Sequence, residues 1–187
     1  KPAGDGTYTS RSQLRPRVLF SKLDLLAPGG KQPMNCDLIL CRNVIIYFTD
    51  EAKAGVQQML VRSLRPGGVL LFDFWYGPAV LRDPPAVRVR RLESGGTRIT
   101  RISEPALFME SNTVRVDFEM FVERAGHCSK VEESHWMRYL FVPELDRFFA
   151  DSGFEREAFL AWRKTEAPSV DDWYACVVAR RTGSGLA

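Results

Sequence analysis

Residues 36–48 read Cys-Asp-Leu-Ile-Leu-Cys-Arg-Asn-Val-Ile-Ile-Tyr-Phe. A first apolar run stops at Arg42 and Asn43, and a second apolar run follows it and ends beside Tyr47. In open α/β sheets the ligand crevice lies outside the carboxyl ends of the strands, so polar side chains at this position indicate a ligand site. We therefore expect Cys41, Arg42 and Asn43 to face a nucleotide-like ligand at the tip of a buried strand.

The flanking segments predict a strand, a helix and a second strand. Residues 37–41 form the first strand, and Thr49 is a helix N-cap followed by Ala52, Val56, Leu60 and Leu64 at intervals of four residues. Pro-Gly-Gly at residues 66–68 ends this helix, and the apolar run at residues 69–75 forms the second strand. This spacing is typical of a right-handed βαβ unit, whose parallel strands are covered on both faces.

The pattern changes after residue 78, where polar alternation and Gly, Ser or Asn turns predict an antiparallel insertion over residues 87–140. Its strands are expected at residues 87–92, 97–102, 113–122 and 131–140. A helix from Pro143 to Gly153 follows, and residues 154–162 and 174–179 close the chain as an antiparallel pair at the sheet edge. The expected fold class is α/β, in one domain over residues 1–187.

Composition excludes several classes of protein. The chain has 187 residues, is 45% hydrophobic and has no apolar stretch long enough to span a membrane, so we expect one globular domain and no membrane partner. The first residues contain no signal-peptide core, which indicates the cytoplasm. Four cysteines lack the spacing of a metal site, so no metal is expected. A net charge of +3 is spread along the chain, and the alternate arginines at residues 88–91 indicate a solvated strand face rather than nucleic-acid binding.

The segment at residues 36–48 resembles the fourth-strand motif of the chemotaxis receptor methyltransferases (CheR). The resemblance rests on Asp-Leu-Ile, Cys-Arg-Asn-Val and Ile-Tyr-Phe, and it is sharpest over residues 14–71, which also contain Arg-Pro-Gly-Gly at residues 65–68. Members of that family transfer a methyl group from S-adenosylmethionine to a glutamate of a receptor. The resemblance implies a Rossmann-like class I methyltransferase sheet with S-adenosylmethionine as its cofactor.

The second half of the chain resembles a different group of methyltransferases. Trp-Tyr-Gly-Pro at residues 75–78, the segment at residues 132–139 and Pro-Glu-Leu at residues 143–145 look more like enzymes that methylate small molecules, including sugar amines and glycine. The two halves agree on the cofactor and differ on the methyl acceptor. A protein carboxylate and a small-molecule amine or hydroxyl therefore both stay open as acceptors.

The resemblance implies a set of cofactor-binding residues. Asp24 would accept a hydrogen bond from the adenine amino group, with Leu25 beside it, and Cys41, Arg42 and Asn43 would line the cofactor at the strand tip. Arg42 would also act in catalysis by positioning an anionic acceptor through charge-assisted hydrogen bonds. The alternatives are an ordinary loop aspartate for Asp24 and a salt-bridged strand end for the arginine and asparagine.

The acceptor site draws on later residues. Tyr47 would present its ring and hydroxyl to the methyl donor or acceptor, and His135 would remove a proton from an amine acceptor. Trp75 and Tyr76 would wall the acceptor pocket, and Arg138 would bind the substrate there. Each of these side chains has a packing or surface role as its alternative. The single acids, Asp73 among them, have no acidic partner at a spacing that indicates catalysis, and they are assigned no role.

One expected element is absent from this sequence. Class I methyltransferases hold the cofactor with a glycine-rich turn after their first strand, and neither that turn nor the acid after the second strand precedes Arg17. We therefore expect only the later strands of the sheet, with a missing N-terminal segment. The alternative function is a non-catalytic remnant or binding module. An uncovered sheet flank would also favour self-association.

Overall fold

The structure is a computed structural model, and it describes residues 21, 23–25, 33–42 and 50–182. The chain forms two compact units, residues 1–32 and residues 33–187. In the first unit, Asp24 is exposed and Leu25 is half-buried at a turn. The second unit contains every helix and strand of the described residues. The prediction of a single domain over the whole chain stays a prediction.

The second unit has an α/β region and an antiparallel region, and the chain passes from the first into the second and back again. In chain order they are β1 (Cys36–Leu40), α1 (Asp50–Ser63), β2 (Leu64–Tyr76), α2 (Gly77–Arg82), β3 (Arg88–Ser94), β4 (Thr97–Phe108), a 3-10 turn (Met109–Ser111), β5 (Thr113–Arg124), β6 (His127–Leu140), α3 (Val142–Ser152), β7 (Phe154–Ala161) and β8 (Tyr174–Arg181). No helix among the described residues is long and apolar enough to cross a membrane.

The predicted unit around the opening segment is confirmed, because β1 and β2 are parallel neighbours with α1 between them in the chain. One detail of the prediction is wrong. Leu64 belongs to β2 rather than to the helix, and residues 66–68 lie inside that strand. Pro-Gly-Gly is accommodated there because Gly67 adopts a positive φ of 74° and Gly68 packs so closely on Cys36 that an added Cβ would lie 2.8 Å from its carbonyl oxygen.

The closing strands extend the sheet on the other side of β2. Strand β8 pairs antiparallel with both β2 and β7, so it lies between them, and of the two closing strands only β7 is at an edge of the sheet. Helix α3 is capped by Gly153, as predicted, and this glycine has a left-handed φ of 71°. Its buried Leu145 and Phe149 pack with Phe74 and Val177 in the core of this region.

The antiparallel region at residues 88–140, hereafter the cap, is built from β3, β4, β5 and β6 in that order. It joins the rest of the sheet through β6, which pairs in parallel with the end of β2 at Trp75–Tyr139 and Tyr76–Leu140. Val80 and Val114 are fully buried with Tyr139 at this junction. The cap therefore continues the α/β sheet from the carboxyl end of β2, where a ligand crevice is expected.

Candidate cofactor and acceptor site

The tip of β1 lies directly beside β2. Leu40 is paired with Leu71, and the Cys41 N–H donates to the Leu71 carbonyl oxygen at 3.4 Å. This parallel register carries the next residue, Arg42, to the level of Asp73. The polar end of β1 predicted from the sequence is thus placed at the carboxyl side of the sheet, where α/β folds bind ligands.

Arg42 is held by two side chains from different strands. Its Nε donates a hydrogen bond to Asp73 Oδ2 at 3.1 Å, and its guanidinium carbon lies 4.2 Å from the centre of the Trp162 ring. The Asp73 side chain is 8% exposed, whereas that of Arg42 is 51% exposed. A charge-assisted hydrogen bond and a cation–π contact therefore fix one edge and one face of the guanidinium. We call these three residues the Arg42 cluster.

Two members of the Arg42 cluster were not predicted as site residues from the sequence. Asp73 was assigned no role because it has no acidic partner nearby, yet its buried carboxylate holds an arginine rather than another acid. A lone acid inside the apolar run at residues 69–75 was the available signal, since a buried carboxylate needs a partner. Trp162 follows β7, far along the chain, and no local pattern linked it to Arg42.

Two thiols flank the carboxylate of Asp73. Cys176 lies opposite Asp73 on β8, and Cys41 follows β1 on the other side. Burial raises the pKa of both thiols, and the negative charge of Asp73 raises each pKa further. Both are protonated at neutral pH, and the thiolate is the nucleophilic form. Cys41 can therefore line a ligand but is poorly suited to attack one.

The predicted walls of the acceptor pocket lie on opposite faces of β2. Tyr76 packs edge-on against Phe159 with ring centres 5.5 Å apart, in the layer covered by α3. Trp75 instead contacts Trp173, with ring centres 5.3 Å apart, and side chains alternate along a strand, so it lies on the face of Asp73. Of the two aromatic residues, Trp75 is the one that shares a sheet face with the Arg42 cluster.

Arg138 and His135 lie on β6 at different distances from that strand end. Arg138 precedes Tyr139, the partner of Trp75, and it forms an ion pair with Glu144. His135 lies four residues before Tyr139, about 13 Å along the strand at the usual rise. Its Nε2 is 3.2 Å from Glu133 Oε2. The structure thus brings Arg138 to the end of β2 and leaves His135 further along the cap.

Two buried polar atoms near Trp75 lack a hydrogen-bond partner among the described residues. They are the hydroxyl of Tyr139 and Nε1 of Trp173. Burial raises the pKa of Tyr139, and Glu110 raises it further, so the hydroxyl remains a donor at neutral pH. Buried polar atoms are normally satisfied, so these two are suited to a water molecule or a polar ligand atom. Neither residue was predicted as a site residue from the sequence.

The remaining predicted residues lie outside the described residues or in the first unit. Asn43 and Tyr47 lie outside the described residues. Asp24 and Leu25 belong to the first unit, where they keep their predicted roles as predictions. The described residues contain no group of His, Cys, Asp or Glu side chains that could hold a metal ion.

The first part of the chain is similar in sequence to known proteins. Residues 2–72 match the CheR methyltransferase, SAM binding domain. A chemotaxis protein methyltransferase of Listeria monocytogenes is 44% identical over 64 residues, which are 34% of this chain and 24% of that protein. The chain therefore spans about a quarter of the length of this curated relative.

Solved structures resemble a larger part of the chain. An S-adenosylmethionine-dependent methyltransferase from Clostridium acetobutylicum has a TM-score of 0.65 at 13% identity, covering 91% of this chain and 69% of its own. The amino pentose methyltransferase CalS10 from Micromonospora echinaspora has a TM-score of 0.59 at 18% identity, covering 85% of this chain and 63% of its own. At these identities the likeness shows the fold.

The fold is therefore the Rossmann-like sheet of S-adenosylmethionine-dependent methyltransferases, as predicted. Within that class, the first part of the chain is similar to the CheR domain, and this resemblance is confirmed. The match to a domain that binds S-adenosylmethionine agrees with the predicted cofactor.

Proposed function

We propose that this chain belongs to an S-adenosylmethionine-dependent methyltransferase and that Arg42 binds an anionic group of the cofactor or the acceptor. The observation that carries the proposal is the Arg42 cluster. An arginine is fixed by a buried carboxylate and an indole ring at the carboxyl end of a parallel strand, while half of its surface remains exposed. Such a fixed guanidinium is suited to bind a carboxylate, because its donors are already oriented.

The donors present at the strand end fit S-adenosylmethionine. Arg42 supplies a cation for a carboxylate, and Cys41 supplies a neutral side chain beside it. The predicted contacts of Asp24, Leu25 and Asn43 would complete the cofactor site. When bound, S-adenosylmethionine supplies an electrophilic methyl group on a sulfonium. The chain's own task is to align a nucleophile with that methyl carbon and the leaving sulfur, since in-line displacement depends mainly on orientation.

A glutamate carboxylate is the first candidate acceptor, as in the CheR family. A carboxylate is already ionised at neutral pH, so its methylation requires positioning and no general base. Arg42 is the residue that would hold it, and Tyr47 would contact the reacting groups. The similarity of residues 2–72 to a CheR domain also supports this acceptor.

A small-molecule amine or hydroxyl is the second candidate. It is supported by the unsatisfied Tyr139 hydroxyl and Trp173 Nε1 beside Trp75, which offer two hydrogen-bonding atoms to a polar ring. The fold likeness to CalS10 agrees with this candidate. An amine acceptor must lose a proton, and His135 and Tyr76 are the predicted bases. His135 would take it only from an acceptor that extends along the cap, and Tyr76 is less suited because it packs against Phe159 on the other face of β2. Arg138 would then contact the substrate.

A methyl-transfer assay distinguishes the two acceptors. The protein is incubated with S-adenosylmethionine carrying a radiolabelled methyl group, with either a glutamate-rich helical peptide or an amino sugar as acceptor. Methyl esters release volatile methanol in alkali, whereas N-methyl groups do not. Arg42→Gln is expected to lower kcat/KM at least tenfold, about 1.4 kcal/mol, through loss of a charge-assisted contact.

Arg65→Gln is the matched control, because Arg65 also pairs with a carboxylate through Nε, at 2.6 Å from Asp37, but on the exposed surface. This variant should retain the activity of the unaltered protein. Equal losses in both variants would contradict the role of Arg42. Failure of the protein to bind S-adenosylmethionine would favour the non-catalytic binding module instead.

A further inference from the structure

The two faces of the cap differ in how their charged side chains are paired. The strands are in register, so that Arg90 lies opposite Arg101, then Met120 and then Val131 across β3 to β6. Directly paired residues share one face, and Arg88 and Leu92 join them because side chains alternate along a strand. We call this surface, defined by Arg88, Arg90, Leu92, Arg101, Met120 and Val131, the arginine face.

Most basic side chains on the opposite face form ion pairs with acids, and Arg91 is the exception among the described residues. Lys130 Nζ contacts carboxylate oxygens of Glu119 and Glu132, each at 2.6 Å, and Arg98 Nη1 contacts Glu123 Oε2 at 3.3 Å. These pairs join neighbouring strands or neighbouring positions of one strand. They are the expected arrangement for a sheet face that is simply exposed to water.

On the arginine face the cations are left without acids. Arg88, Arg90 and Arg101 have no ion pair with any residue that the structure describes. The acid on this face, Glu133, contacts His135 instead. The Arg101 guanidinium carbon lies 5.3 Å from the centre of the Phe118 ring, so an aromatic ring supports it in place of a carboxylate.

This arrangement is unfavourable for an isolated sheet. Arg90 and Arg101 are directly opposite each other, and like charges at such positions repel. Beside them Leu92 is 50% exposed and Val131 is 42% exposed, which places apolar side chains in water. A surface that combines unpaired cations with exposed apolar side chains fits a partner that supplies carboxylates and apolar side chains together.

We propose that the arginine face is a docking surface for an acidic, amphipathic segment of a partner protein. A second copy of the chain is disfavoured, because it would bring two sets of unpaired arginines together. Nucleic acid would supply phosphates for the arginines but no apolar partner for the exposed aliphatic side chains of Leu92 and Val131. Val131 precedes Tyr139 by eight residues of β6, about 27 Å along the strand, so docking here lies away from Trp75 and the Arg42 cluster.

Fluorescence anisotropy with a synthetic peptide tests this surface independently of methyl transfer. The labelled probe has leucines at helical spacing on one face and glutamates on the other. Binding to the protein is expected at low salt and should weaken as salt rises, because exposed charges are screened. The same peptide with lysine in place of glutamate, a polyglutamate of equal length and anionic phospholipid vesicles should all bind more weakly.

The paired variants are Arg90→Gln with Arg101→Gln on the arginine face, and Arg91→Gln with Arg98→Gln on the opposite face. The first pair should weaken peptide binding by about tenfold or more, and the second by less than about twofold. Removing the repulsion should keep or raise the melting temperature of the first pair. A lower melting temperature there would indicate a structural role and would overturn the proposal.

Three other outcomes would also overturn it. They are no binding of the acidic peptide at low salt, tighter binding of the vesicles than of the peptide, and sedimentation showing a dimer that the Arg90→Gln, Arg101→Gln variant loses. The last would assign this face to self-association. Leu92→Ser should lower the affinity for the amphipathic peptide without changing the affinity for polyglutamate. This variant separates the apolar contribution to binding from the ionic one.

Discussion

The α/β region and the cap share one sheet, but their arginines have opposite surroundings. At the end of β1, Arg42 is fixed by a carboxylate that is 8% exposed and by the ring of Trp162. In the cap, Arg90 lies opposite a second arginine on an exposed strand. A buried carboxylate needs its cation, so the first arrangement is rigid. In the second, the guanidinium groups of Arg90 and Arg101 can bind the carboxylates of a partner protein.

The largest expected difference between the regions is in stability. Phe74→Ala removes a ring that is 7% exposed and packed in the α/β core, so it should lower the free energy of unfolding by about 3–5 kcal/mol. Leu92→Ala in the cap should change it by less than about 0.5 kcal/mol, because that side chain is half exposed. Denaturant unfolding of both variants measures the contrast, and similar losses would show that the cap is packed more tightly than its exposure indicates.

A smaller effect is expected from releasing Arg42. Asp73→Asn keeps the shape of the side chain and removes its charge. Because Arg42 then loses a charge-assisted hydrogen bond, the affinity for S-adenosylmethionine should fall roughly tenfold, about 1.4 kcal/mol. The same change should lower the pKa of Cys176, which the charge of Asp73 raises, and alkylation rates against pH report this directly.

Asp37→Asn is the control for Asp73→Asn. Its carboxylate also pairs with an arginine on β2, but it is 80% exposed, and exposed pairs contribute little. Affinity for the cofactor should therefore be unchanged in this variant. If Asp37→Asn weakens binding as much as Asp73→Asn does, burial of Asp73 is not what fixes Arg42.

The smallest expected effect concerns acid pH and the loop between β7 and β8. A hydrogen bond from Lys164, with further bonds from Ser169, lowers the pKa of Asp172 to about 2 from its usual 3.8. The folded pKa is depressed, so the contribution to stability is present above about pH 4 and is lost as pH falls toward 2. Lys164→Met should move the midpoint of the Asp172 carboxyl signal, followed by NMR, back toward its usual value. A midpoint near 4 in the unaltered protein would contradict this.

Local patterns predicted the helices and strands well because each apolar run is bounded by polar residues or by a glycine-rich turn. The tip at Arg42 could be predicted from one segment, since the strand and its polar end are adjacent in sequence. Pro-Gly-Gly at residues 66–68 misled the prediction because pairing with β1 overrode a local turn signal.

The rest depended on contacts between distant segments. Asp73 and Trp162 reach Arg42 only after β1, β2 and β7 are assembled, and neither has a partner in its own segment. The arginine face required the strand register as well. From the sequence, alternate arginines indicated an ordinary solvated face, whereas the register shows that Arg90 faces Arg101 rather than an acid.

The most direct test of the central claim is a titration of the protein, labelled with nitrogen-15 at its indole groups, with S-adenosylhomocysteine. The Trp162 signal, assigned with Trp162→Phe, should shift in a saturable way because that ring lies on the guanidinium of Arg42. Trp136, in the cap beside Phe108, should not shift. Asp73→Asn should weaken the saturation of the Trp162 signal roughly tenfold. An unmoved Trp162 signal, or equal saturation in Arg42→Gln, would contradict the role of Arg42 in binding the cofactor.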